Sequence, residues 1–150
     1  MSIWGPGPFE NDDGADWFAD LQDEPTLKTI RAALEEIADP QHIGFVEVID
    51  GAAAVGAAEV LAELLGSPGD DPVFDDEVEE MEEELKADLA KADKRELKKL
   101  IKQAIDALEV VLTDSENSEL RQMWEEQDDG MPEWIEAMTS LQERLGTLAI

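Results

Sequence analysis

From Gly51 to Ala58 the chain is built almost entirely of its smallest residues: Gly51, Ala52, Ala53, Ala54, Gly56, Ala57 and Ala58, with Val55 among them. Val60, Leu61 and Leu64 follow, and Gly66 and Pro68 supply a stop. Side chains this small let neighbouring backbones come close, and protein interiors are packed without voids. The pattern therefore predicts a helix from about Asp50 to Leu65 at the centre of the molecule. Close packing accounts for the small residues without a ligand pocket. Glu59 and Glu63 interrupt the run, which is also too short to span a bilayer.

The segments on either side read as helices that wrap this one. Asn11 or Asp12 is a suitable N-cap for a first helix through Leu21, with Trp17, Phe18 and Leu21 on its buried side. A second starts near Pro25, repeats Leu27, Ile30, Leu34 and Ile37 at three- and four-residue steps, and ends at Asp39-Pro40. Residues 41–49 are the one stretch rich in β-branched and aromatic residues. With no partner strand in sight, they are read as an extended entry into the third helix. A fourth helix carries a narrow stripe of Val78, Met81, Leu85 and Leu89 on a glutamate-covered rod. After a break near Ala92-Asp93 a fifth has a wide apolar face from Leu97 to Leu112. Asn117 or Ser118 caps a short sixth helix with Leu120, Met123 and Trp124, and Pro132 opens a last one with Trp134, Ile135, Met138, Leu141, Leu145 and Leu148. The expectation is an all-α fold, a compact bundle of about six to seven helices forming one domain over 1–150. Residues 1–10, with Gly5-Pro6-Gly7-Pro8 between Ile3, Trp4 and Phe9, would form an ordered apolar arm laid over it.

Charge narrows the partners. With 39 acidic against 11 basic residues, the net charge is −28 at pH 7. Nucleic acid and anionic membranes are repelled by such a surface, whereas a basic protein would be steered toward it. A salty cytoplasm offers a second explanation, because screening at molar salt shortens the range of self-repulsion to roughly 3 Å. The fifth helix holds Lys94, Arg95, Lys98, Lys99 and Lys102, a cluster expected to pair with the acidic fourth helix. The absence of cysteine excludes disulfides and thiolate chemistry. The N-terminal residues carry no secretory pattern, so the expected location is cytoplasmic.

Catalytic and metal signatures are missing. The sole histidine, His42, follows Asp39-Pro40 with no nucleophile at a recognisable elbow, and is read as structural or exposed. The best alignment to a calcium loop begins at Asp114 and ends at Glu125, but Glu119 occupies the position where the turn needs glycine. Asp70, Asp71, Asp75 and Asp76 lack the alternating ligand spacing. No phosphate-binding loop occurs, and no cofactor is expected.

The opening Trp4-Gly5-Pro6-Gly7-Pro8-Phe9-Glu10-Asn11-Asp12-Asp13, continuing to Asp16-Trp17, resembles the W-G-x-G-P-F-x-N-D motif of an uncharacterised family of small acidic bacterial proteins, a domain of unknown function. Gly14-Ala15 displaces the motif's small residue by one place. Similar blocks are Ala58–Gly66, Asn117–Glu126, and Trp134 with Leu141–Leu145. The resemblance implies a bacterial, helical, cytosolic protein and implies no activity. Read physically, Trp4, Phe9 and Trp17 are anchors and Asn11 and Asp12 are caps.

These features lead to an acidic helical interaction module that docks on a basic protein, as immunity proteins block basic toxins. Glu79, Glu80 and Glu83 mark its acidic face. The rival expectation is a small-ligand binder or enzyme with polar groups around Trp4, Asn11, Asp12, Trp17, Arg121 and Trp124; another is a scaffold whose acidity is salt adaptation.

Overall fold

At the centre of the computed structural model lies a helix of glycine and alanine, α3 (Val48–Leu64). The structure describes residues 7, 9–38, 45–69, 73–113, 116–127 and 130–148. Within them the other helices are α1 (Asp12–Asp23), α2 (Leu27–Ala38), α4 (Glu79–Leu89), α5 (Lys94–Thr113), α6 (Glu119–Glu125) and α7 (Met131–Gly146). A single 3-10 turn, Asp76–Val78, leads into α4. The all-α bundle expected from the sequence is the fold. Of the N-terminal arm only Gly7, Phe9 and Glu10 are described, so Trp4 and most of the arm lie outside the described residues, as does His42.

Small residues place α3 where it is. Gly51, Ala52, Ala54, Gly56, Ala57, Ala58 and Ala62 are all buried, because every other helix packs against some side of α3. A Cβ on Gly56 would stand 2.8 Å from Phe9 Cε1 and 3.1 Å from Trp17 Cε3, so the two rings use the room that glycine leaves. Phe9 also meets Phe18, with ring centroids 4.9 Å apart. The described end of the arm is thus pinned to α1 and α3.

The ends of α3 show what local sequence can and cannot announce. Its C-terminus closes as a Schellman turn, with Ser67 N donating to Ala62 O at 2.8 Å and Gly66 N to Glu63 O at 3.1 Å. Gly66 takes the left-handed φ of 95° that this turn requires. At the other end the helix begins two residues before Asp50. Its first N–H, on Val48, donates to Glu119 Oε1 of α6 at 2.7 Å. A cap supplied from 71 positions away leaves no local signature. The start of α2 is similar: Leu27 N donates to Asp88 Oδ2 of α4 at 2.7 Å.

The extended entry at 45–47 is confirmed where it is described. Val46 pairs in parallel with Ser118 through an isolated bridge, Val46 N to Asn117 O at 2.6 Å and Glu119 N to Val46 O at 3.0 Å. Ser118 caps α6 through Arg121 N and donates its own hydroxyl proton to Val111 O at 2.8 Å. Ile135 departs from the expected pattern: it turns outward and is 37% exposed, while Trp134, Met138, Leu141 and Leu145 fill the inner face of α7.

Candidate interaction surface

A helix whose large apolar residues form a single stripe at 78, 81, 85 and 89 can bury one narrow strip. Val78, Met81 and Leu85 do so, seating α4 on α2 and α3, with Leu89 partly covered. The rest of the circumference is left to water. Asp75, Asp76, Glu77, Glu79, Glu80, Glu83 and Glu84 are exposed, and Glu82 pairs with Lys86 one turn on, at 3.3 Å.

The expected neutralisation by α5 does not occur. Among the described residues no ion pair joins α4 to α5; Lys102 pairs instead with Asp106 of its own helix at 2.7 Å. The apolar face of α5 packs on α2, α3 and α7, and α4 docks on α2 and α3; the ion pairs that each of the two helices makes lie within itself.

The remaining sequence candidates are placed mainly by packing. Asn11 is buried and caps α1, accepting from Gly14 N at 2.7 Å, while Asp12 is exposed. Trp17 is buried against Gly56. Arg121 donates to Leu112 O and to Glu125 Oε1 at 2.9 Å, tying α6 to the end of α5. Trp124 is buried and stacked on Trp134, with centroids 6.1 Å apart and planes 15° apart. The rings of Trp17 and Trp124 thus occupy separate packing seams. Burial chiefly, then the charge of Asp16, pushes the Asp13 carboxyl up.

Sequence reasoning missed the most heavily buried ion pair among the described residues. Glu59 on α3 accepts from Arg144 on α7 in a fork, Nη1 to Oε2 at 2.7 Å and Nη2 to Oε1 at 2.9 Å. Arg144 Nη1 also reaches Ser67 O at 3.2 Å, and a Cβ on Gly69 would sit 3.2 Å from the same nitrogen. The available signal was Glu59 itself, a glutamate within the small-residue helix expected at the centre, where a buried charge requires a partner.

One turn along, Glu63 accepts from Val73 N at 2.8 Å and holds the loop that follows α3. Burial is the main cause that lifts its pKa above 4.5; the Glu59 charge adds to it, and the Val73 and Phe74 N–H groups and Arg144 oppose it. A carboxyl with a raised folded pKa binds its proton more tightly when folded. Its stabilising contribution is complete below 4.5 and lost as pH rises through the folded value. Thermal stability is accordingly expected to increase on acidification from about pH 7 toward about pH 5. Glu63→Gln, which keeps an oxygen for Val73 N, should flatten that profile and raise the melting temperature at neutral pH; scanning calorimetry across the range checks both.

No helix of the described residues is long and apolar enough to cross a membrane, and no group of three or more potential metal-binding side chains occurs among them. What remains is an all-α bundle with a buried Gly/Ala helix and one strongly acidic rod. Residues 2–137 match a domain of unknown function (DUF4259), and the chain belongs to that family. No curated protein and no solved structure matches it.

Proposed function

We propose that this chain is an acidic docking module of the bacterial cytoplasm, whose α4 rod seats on a basic face of a partner protein in the way immunity proteins cover basic toxins. The observation that carries the reading is the uncompensated outer face of α4, where Glu79, Glu80 and Glu83 are exposed and without an ion-pair partner among the described residues. Such a face accelerates encounter with a basic partner and makes it salt-sensitive. The buried placement of Asn11, Trp17 and Trp124 gives those residues work in folding, and so favours the docking reading over a ligand site around them.

The triple charge reversal E79K/E80K/E83K tests it. Because all three side chains are in water, stability should stay within about 1 kcal/mol of the wild type. Affinity for a basic partner captured at low salt should fall at least about tenfold, with a shallower salt dependence. Partners retained equally by both forms would overturn the reading, as would a family whose gene neighbourhoods hold no candidate basic partner. Salt adaptation would show itself differently, as stability rising steeply toward molar salt with capture unchanged by the reversal.

A further inference from the structure

Arg121 and Arg144 apart, every lysine and arginine of the chain lies on α2, α4, α5 or the turn between α4 and α5. Where these elements meet there is an open cleft of about 230 Å³, lined by Lys28, Arg31, Lys91, Asp88 and Glu96 among others. We infer that this cleft binds a phosphate group.

The three cations are not engaged elsewhere. Lys28, Arg31 and Lys91 have no carboxylate within ion-pair distance among the described residues. Of the two lining carboxylates, Asp88 already has a backbone partner, its Oδ2 accepting from Leu27 N at 2.7 Å, and Glu96 is exposed. Lys28 and Arg31 stand three residues apart on α2 and so share a face of it. Lys94 and Arg95 follow closely on Ala92, which also lines the cleft.

The overall negative charge does not forbid an anion here. At physiological ionic strength the screening length is about 8 Å, so the potential in the cleft is set by its own lining more than by distant glutamates. The size of the ligand is what the global charge restricts. A long polyanion would run onto the acidic surface, whereas a single phosphate, with charge between about −1.5 and −2 and three acceptor oxygens, is small enough to sit among Lys28, Arg31 and Lys91, which outnumber the lining carboxylates Asp88 and Glu96. Arg31 offers it a planar fork and the two lysines offer mobile point charges. The volume is below the roughly 300 Å³ at which sites for drug-sized ligands begin, which suits one phosphate group rather than a whole nucleotide.

The test is an amide NMR titration of the full chain with inorganic phosphate, with a short neutral peptide bearing one phosphoserine, and with acetate. Phosphate should give saturable shifts confined to the amides around Lys28, Arg31, Lys91 and Ala92. The double variant R31Q/K91Q should weaken binding at least about tenfold, and K98Q, altered at a lysine not among the lining residues, should stay within about twofold. Tighter binding of the phosphopeptide would place the group on a protein, and equal binding would place it on a free or small-molecule phosphate; either supports the inference. Shifts spread over all the lysines, equal saturation by acetate, or unchanged binding by R31Q/K91Q would overturn it.

Discussion

Arg144→Met is expected to cost about 3–5 kcal/mol, the usual penalty for removing one partner of a buried ion pair. The side chain of Glu59 is only 7% exposed, and Arg144 supplies both of the donors in its fork. Without the guanidinium, a carboxylate on the central helix would keep its desolvation penalty and lose its compensation. The same change frees the loop after α3, because Arg144 also holds Ser67 O and lies against Gly69. For a chain of this length the loss corresponds to a fall in melting temperature of about 10–15 °C. Arg144→Lys should recover only part of it, since an ammonium cannot reproduce the two parallel bonds. The double variant E59M/R144M should stand much nearer the wild type, because it removes both charges and fills the space with apolar atoms. Urea denaturation of the wild type and the three variants at neutral pH measures these differences. If R144M alone lies within about 1 kcal/mol of the wild type, water reaches the pair and the buried description is wrong.

How legible this molecule was in its sequence depended on how local each signal is. Periodic residues such as Ile30, Leu34 and Ile37 predict their own burial, because a helix brings them to one face whatever it packs on. The Gly/Ala run predicted the central position of α3 for a similar reason: seven small side chains have few other uses. Helix starts were less legible where the cap came from a distant element, as with Glu119 for Val48 and Asp88 for Leu27. Charge partnerships were the least legible. Sequence proximity of an acidic and a basic helix implied that they neutralise each other, but pairing depends on which faces the tertiary packing turns together. Here α4 and α5 both pack on α2 and α3, yet among the described residues no ion pair joins the glutamates of one to the lysines of the other. The acidic face at Glu79, Glu80 and Glu83 was found from composition, while the cleft between Lys28 and Lys91 needed three elements brought together.

Trp124→Ala separates the two roles an aromatic residue in such a chain can have. An anchor that inserts into a partner stands in water before binding, and its truncation leaves the free protein's stability almost unchanged. Trp124 is 5% exposed, stacks on Trp134, and lies so close to Gly130 that a Cβ there would come within 2.8 Å of its ring. Gly130 itself has a φ of 94°, so the residue that leads into α7 meets the indole without a side chain. Truncation should therefore cost about 3–5 kcal/mol, a large share of the 5–15 kcal/mol that typically holds a domain folded. Trp124→Phe, which keeps a ring against Trp134, should cost markedly less. Denaturation of both variants by urea, followed by far-ultraviolet circular dichroism, gives the numbers. The contrast with E79K/E80K/E83K carries the weight: the aromatic variant should lose stability, and the charge variant should lose its partner and keep its fold. A Trp124→Ala protein as stable as the wild type but unable to bind would move the docking face from α4 to α6.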